Sequence, residues 1–454
     1  MKRFLFVVLT LALLFLMAGC GDSGEIVDAG PYEKDPYQFG EDESGDEIPA
    51  EPAASEEVLG EGQDVKTVTA EASDPVAAVA DVEGNYGYIN TKGEWVVAPQ
   101  YSMAYPFCNG YATVCTDWGG TEWQIIDKQN HIIKKFDGVY VIAVPASYYY
   151  ISVPLEQSIV EDMIIITRDY PFSSSEIKYG FANSMGEIVL EPQYTEVMAY
   201  REGLAAVNFG TLSEPSWGYV DKSGNTVIQP QFQEARIFSD GVAYVKMAYN
   251  PASPGLSYAF IDTTGDLVIH GDIDAMGFPI GFTGSFSDFY EGLAFANIAG
   301  ATDNITFGST LSLIDRQGGV VWTDMSSEYS TNDFRAIGDG MFCIKGKPDS
   351  NGDAPIGFMN MSGAVVVAPT MQWRPTSYFH EGLCSVRTSG ADAREGFIDK
   401  SGNVAIEIKY GSVRDFSCGY AAVTENGSEF VYIDKNGSAA VTGDFISYGA
   451  PFTK

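Results

Sequence analysis

The residue types that carry most catalytic and metal chemistry are sparse in this 454-residue chain. Its three histidines, His131, His270 and His380, fall in separate stretches with no repeated partner spacing. Neither a zinc set nor a nucleophile–base pair is spelled out. Cys108, Cys115, Cys343, Cys384 and Cys418 lie in or beside apolar runs without metal-type spacing, as buried small hydrophobes do. Asp349-Ser350-Asn351-Gly352-Asp353 opens like a Ca²⁺ loop, but no glutamate closes it, so it reads as a polar hairpin tip. No phosphate-binding glycine loop or nucleophile elbow occurs. The sequence therefore predicts no enzyme, no cofactor and no metal site. Aromatic side chains are the remaining recognition chemistry. Tyr148, Tyr149, Tyr150, Phe282 and Phe286 interrupt an otherwise regular pattern and are the candidate ligand contacts. Adjacent strand residues face opposite ways, so only part of the tyrosine trio could line one surface.

Charge narrows the partners. The chain has 26 basic and 61 acidic side chains, a formal net charge of −35. Such a polyanion repels nucleic-acid phosphates, so nucleic acid is excluded as a partner. Lys2 and Arg3 precede an apolar run from Phe4 to Met17, and Met17-Ala18-Gly19-Cys20 closes it. This resembles a bacterial lipoprotein signal, which implies removal of residues 1–19 and lipidation of Cys20. The expected address is the extracytoplasmic face of a cell membrane, held by lipid. Residues 21–72 hold sixteen acidic residues against Lys34 and Lys66. A segment so charged and so poor in apolar residues is predicted to be a disordered linker, giving 20–72 as a stalk behind the anchor.

Positioning falls to a repeat that fills the rest, residues 73–454. Its clearest copy is Trp217-Gly218-Tyr219-Val220-Asp221-Lys222-Ser223-Gly224, then Val227-Ile228-Gln229-Pro230, then Phe238-Ser239-Asp240-Gly241-Val242. Related copies begin near Tyr86, Trp123, Tyr179, Tyr258, Leu311, Ile356, Glu395 and Phe430, making nine. Each reads as a three-stranded antiparallel meander: the Gly-Tyr-Val-Asp strand, the Val-Ile-x-Pro strand, and a third strand after the aromatic. The first turn ends at Gly93, Asn130, Gly186, Gly224, Gly265, Gly318, Gly363, Gly402 and Gly437, residues that tolerate positive φ. Asp221, Asp262, Asp315, Asp399 and Asp434 are then turn formers. Gly110, Asp162, Gly203, Gly241, Gly292, Gly340, Gly382 and Gly419 mark a second such position. Three residues before it stand Phe107, Tyr200, Phe238, Phe289, Phe379 and Phe416, expected as one core ring per unit.

These repeats resemble the WG-repeat family, whose tryptophan–glycine stands here as Trp217-Gly218. The resemblance implies short β-units in bacterial, often exported proteins and supplies no catalytic residues. Ser73–Val79 echoes a third strand, while the chain after Phe445 leads toward one that does not follow. Closure into a β-propeller-like ring is therefore favoured over an open β-solenoid, with the N-terminal strand completing the last unit. Stretches 134–160, 270–288 and 319–339 break the period and are where specific binding is expected. The predicted function is a non-catalytic interaction module with an unknown protein or glycan ligand. The alternative is a surface-polysaccharide hydrolase or lyase on the same scaffold.

Overall fold

The computed structural model describes residues 74–142, 158–168, 177–248, 258–270, 272–273, 279–299, 309–323, 337–347, 354–371, 373–390, 392–426, 429–441 and 450–453. Tyr148, Tyr149, Tyr150, Cys20, the linker and the 349–353 segment lie outside these residues. The described chain is all-β, without a helix, in eight antiparallel sheets arranged as a β-propeller ring. Seven sheets carry one meander each. The six-stranded sheet carries two, because Thr226–Ala235 ends one meander and pairs through Glu234 and Ala235 with the next.

The phase of the unit differs from the sequence expectation. Except where Thr226–Ala235 runs on into the arm and meets Val242–Met247, the strand after the aromatic does not add to the Val-Ile-x-Pro strand before it. It pairs with the next Gly-Tyr-Val-Asp strand, as Leu204–Asn208 does with Trp217–Asp221. The reason lies in a two-residue hairpin. Asn109-Gly110, Glu161-Asp162, Glu202-Gly203, Asp240-Gly241, Glu291-Gly292, Asp339-Gly340, Glu381-Gly382 and Cys418-Gly419 all have positive φ at both residues. Two successive left-handed residues make a type I′ turn, whose twist matches that of paired strands. The short arm carrying the aromatic is thereby folded onto the strand that follows the glycine, as in Ser412–Val413 with Tyr420–Thr424. A complete unit is thus arm, two long strands and an outer strand.

The same correction applies at the ring's seam. Strand β1 (Val76–Ala80) belongs to the first meander, pairing with β2 (Tyr86–Asn90), which pairs with β3 (Trp95–Tyr101). It does not complete the last unit. The C-terminal arm instead reaches β1: Val76 N donates to Thr453 O (3.0 Å) and Thr453 N to Val76 O (2.9 Å). This is the bond pair that Cys108 and Tyr111 make around their turn, so the arm of the first meander comes from the other end of the chain.

Packing follows the same cycle. Among the described residues, nine apolar clusters each join two consecutive meanders. The ninth sets Ala422, Tyr432 and Val441 against Phe452, Ala77, Val79 and Ile89. In most of them the arm's ring meets the ring of the preceding meander. Centroid separations are 4.6 Å for Tyr88–Phe107, 4.9 Å for Tyr219–Phe238, 5.1 Å for Phe260–Phe289 and 4.8 Å for Tyr432–Phe452. Phe452 is therefore the arm ring of the first meander.

The glycine after the tryptophan has its own cause. A Cβ on Gly218 would lie 2.6 Å from Ile228 O and 2.9 Å from Pro230 N, because the outer strand bulges across it. Gly87, Gly180, Gly357 and Gly396 sit equally close to their outer strands. Units with Gln124, Ala259, Ser312 or Val431 at this position have short outer strands with no Pro, such as Ile132–Lys135 and Leu267–His270. Glycine and bulged outer strand therefore occur together.

The nine first-turn positions all have φ between 63° and 91°, but they are not equivalent in space. A Cβ on Gly224 would meet Leu190 Cδ2 of the preceding meander at 3.0 Å, whereas nothing lies within 4 Å of one on Gly241. Both have φ of 84°. Gly241→Asn should cost about 1 kcal/mol and Gly224→Asn about 2, since only the second adds crowding to backbone strain. Gly218→Ala should cost about 3 kcal/mol or more, because the obstacle is backbone. Urea midpoints give the ranking; Gly218→Ala proving no costlier than Gly241→Asn would overturn the bulge explanation.

Candidate functional site

Antiparallel connectivity sends alternate connections to opposite ends of each sheet. One end collects the type I′ turns and the first-turn hairpins. There the acidic residues of the I′ turns reach forward to the next meander. Glu161 accepts from Glu202 N (2.6 Å) and Gly203 N (2.9 Å), and Glu202 from Gly241 N (2.9 Å). Asp240 accepts from Gly292 N (2.6 Å), Asp339 from Gly382 N (2.6 Å) and Glu381 from Gly419 N (3.0 Å). Cations at the second hairpin position reach backward. Lys128, Lys400 and Lys435 donate to the carbonyls of Asp74, Asp339 and Glu381, and Arg316 to that of Asp240. Lys222 pairs with the Glu161 carboxylate at 3.3 Å. The Asp-Lys-Ser-Gly hairpin is thus also an inter-meander tie. Apart from the buried Lys128, these are exposed contacts, worth about 0.5 kcal/mol each, so they register neighbours more than they stabilise them.

The ties set the carboxylates' acidity. Burial pushes Glu161 up, but the amides of Gly203 and Glu202 and the Lys222 ammonium outweigh it and hold the carboxyl low. The corresponding hairpin residue for Glu202 is Thr263, which brings no charge. Burial and repulsion from Asp240 leave Glu202 raised despite its amide bond. The hairpin aspartates behave as turn formers: Asp221 Oδ1 accepts from Ser223 N (2.9 Å) and Asn225 N (2.8 Å).

Two carboxylates sit outside this scheme, each just before an arm ring, Asp288 buried and Asp415 partly buried. Asp415 is shared by Ser377 Oγ (2.5 Å), Ser385 Oγ (3.4 Å) and His380 Nε2 (3.5 Å). The carboxylate stands between serine and imidazole, and the Ser377 hydroxyl proton is committed to it. Nucleophile activation needs the imidazole in that middle place. Asp288 is buried with neither oxygen accepting a hydrogen bond. Burial raises its pKa to about 6, only partly opposed by Arg236. Sequence reasoning passed over both, since the position before the ring holds Pro106, Ala199 and Ile237 elsewhere.

The other residues singled out by sequence are scattered. His131 is exposed and bonded to Asp127 at 2.9 Å; His270 ends the strand Leu267–His270, opposite Ala259. Phe282 and Phe286 lie in the strand Pro279–Phe286, opposite Ile298 and Ala296. The five cysteines are free thiols; burial raises Cys108, Cys115 and Cys384. Among the described residues no group of histidine, cysteine and acidic side chains could hold a metal ion.

The opposite end collects the connections between the two long strands and those running from outer strand to arm. Stretches 134–160, 270–288 and 319–339 each run, in chain order, from an outer strand to the arm of the next meander; their described residues include Tyr140–Ile142, paired with Met163–Thr167, and Pro279–Phe286, paired with Leu293–Ala299. The best-defined loop here is 116–122. Asp117 accepts from Gly119 N, Thr121 N and Glu122 N at 3.0, 2.8 and 2.7 Å. Burial pushes Asp117 up, but these bonds with those from Cys115 and Thr121 hold its pKa at about 2. The loop presents Trp118 at 72% exposure beside the 81–85 loop, where Val82 is 68% exposed. No sequence argument had marked it.

Asp288 makes stability depend on pH with a definite sign. Its folded pKa is raised, so its contribution is intact below pH 4 and is lost as pH rises through 6. Two pK units correspond to about 3 kcal/mol. Asp288→Asn should remove this loss, making the variant more stable than wild type at pH 7.5 and no more stable at pH 4. Parallel unfolding midpoints for both proteins across that range would show that the carboxylate is solvated.

The chain is similar in strand arrangement to a eukaryotic initiation factor structure, with TM-score 0.48 and 9% identity over 84% of this chain and 98% of that one. It is also similar to AztD of Citrobacter koseri, with TM-score 0.35 and 14% identity over 84% and 96%. The β-propeller domain of the Trilobed protease from Pyrococcus furiosus gives TM-score 0.36 and 7% identity over 63% and 89%. No curated protein sequence matches. Residues 86–117, 179–210, 217–249 and 396–428 match the WG containing repeat. Each match runs from a glycine-bearing strand, across the bulged outer strand and the I′ turn, to the first long strand of the next meander. The chain thus carries the WG containing repeat at four places in its ring.

Proposed function

We propose that the protein is a lipid-anchored, extracytoplasmic, non-catalytic interaction module. The observation that carries the binding part is the division of labour between the two ends of the ring. One end spends its carboxylates and cations on ties between meanders. The other presents an exposed aromatic, Trp118, on a loop fixed from within by Asp117. A rigid scaffold with varied loops on one side suits recognition of a protein or glycan. Binding of full-length protein to an array of envelope glycans and proteins should be specific and should weaken when loop 116–122 is shortened. Release of reducing ends from an envelope polysaccharide by the wild-type protein would favour the hydrolase or lyase reading instead.

The address rests on Lys2, Arg3, the apolar run and Cys20. Lipid at Cys20 and a stalk of residues 21–72 would hold the ring off an anionic membrane, a separation that the net charge of −35 on the whole chain favours. Cys20→Ser should abolish labelling by a fatty-acid analogue and release the protein from the membrane fraction. Equal labelling of wild type and variant would overturn the anchor.

A further inference from the structure

The loops 81–85 and 116–122 join long strands of the first and second meanders and stand side by side on the loop end. Each is fixed from within by an aspartate. Asp81 Oδ1 accepts from Glu83 N and Asn85 N, both at 2.9 Å, and Gly84 N donates to Asp81 O at 3.0 Å. Asp117 holds three backbone amides of its loop, accepts from the Thr121 hydroxyl at 2.9 Å and from the Cys115 thiol at 3.1 Å. Its own carbonyl accepts from Ser102 Oγ at 2.5 Å.

This network could have turned the indole inward but does not. Trp118 leans over the neighbouring loop, its Cη2 3.7 Å from where a Gly84 Cβ would begin. The absence of a side chain at Gly84 leaves room for the ring, and Val82 extends the apolar surface beside it. Exposed tryptophan is costly unless something covers it, and here the backbone beneath is ordered in advance. A partner therefore gains the indole contact without ordering the loop.

Charge says what kind of partner. The two loops carry Asp81, Glu83, Asp117 and Glu122 and no lysine or arginine. Glu122 lies against the loop through Thr116 Oγ1 at 2.8 Å. An exposed indole on two loops that carry four acidic residues and no cation is matched by a guanidinium or ammonium that stacks on the ring within this negative field. A neutral glycan would use the indole but leave the local negative charge unmatched. We infer that the Trp118 loop and its 81–85 neighbour form a docking platform for a basic, arginine- or lysine-rich peptide segment of a partner protein. This rests on reading the protein as an interaction module and names the partner class at one place on it.

The test uses full-length protein and a fluorescently labelled, end-blocked peptide of six arginines alternating with glycines, followed by anisotropy. Long-range attraction to a polyanion would bind this peptide anywhere, so the variant that decides leaves charge unchanged. Trp118→Ala should weaken binding about fivefold, the loss of one partly desolvated cation–π contact. Glu83→Gln with Glu122→Gln should weaken it and flatten its salt dependence. Leu212→Ala, exposed on another loop, should change nothing. Trp118→Ala bears on an exposed side chain, so its unfolding midpoint should match wild type and a folding defect would be visible separately. Peptide affinity unchanged in Trp118→Ala would overturn the platform. Cellohexaose binding that depends on Trp118, with no peptide binding, would overturn the partner class while leaving the interaction-module reading in place.

Discussion

A meander of three strands is too thin to bury its own two faces, and the insertion of each arm ring against the ring of the preceding meander is what removes that difficulty. Tyr219–Phe238 and Phe397–Phe416, each 4.9 Å apart, show the contact at two places in the ring. The aromatic is carried not by the sheet it covers but by the arm entering the next one. Every meander is therefore completed by its successor. Such an array has a bare face at one end unless it closes. Phe452 supplies the missing ring, and the Val76–Thr453 bonds place it, so both terminal segments of the described domain are fixed by a single requirement.

The period was legible in the sequence because turn chemistry leaves few choices. Positive φ admits glycine and asparagine cheaply, and Gly224 or Asn130 marks its place without reference to tertiary structure. Phase was less legible. The strand after Gly241 could pair backward or forward with the same alternation of residues, and only the positive φ of Asp240 decides for a two-residue hairpin. The repeated acid–glycine pair carried that information, at Glu202-Gly203, Asp240-Gly241, Glu291-Gly292 and Glu381-Gly382. Its forward carboxylate–amide bond becomes visible only when two meanders are side by side. The same holds for Gly218 and Pro230. Both stand in the repeat, yet the reason that one accompanies the other is a backbone crossing.

The candidate site was barely legible, and for a physical reason. Periodic sequence signals report what every unit needs, whereas recognition uses what one unit has alone. Asp288, Asp415 and Trp118 each occupy a position that neighbouring units fill differently, so no repeat comparison marks them as expected or as absent. Composition also misled in one respect. A net charge of −35 suggests a diffuse acidic surface, but much of the turn end's charge is directed at specific amides. Glu161 and Glu202 occupy equivalent places yet move in opposite directions: Glu161 holds two amides and meets Lys222, whereas Glu202 holds Gly241 N and faces the Asp240 carboxylate.

The two ends of the ring then impose opposite demands on sequence. At the turn end a residue is judged by the meander beside it: a larger side chain at Gly224 strikes Leu190, and loss of Lys435 leaves the Glu381 carbonyl without its donor. Change there propagates to a neighbour. At the loop end the long strands are already paired before the chain leaves the sheet, so a longer connection between them disturbs no hydrogen-bonded partner. Long connections are tolerated on thermodynamic grounds as well, since each doubling of a flexible loop adds only about 0.6 kcal/mol of closure cost. Loop 116–122 takes another route, remaining short and using Asp117 to hold the chain so that Trp118 stays outside. Variation on this end can therefore alter what is recognised while the ring beneath it stays the same.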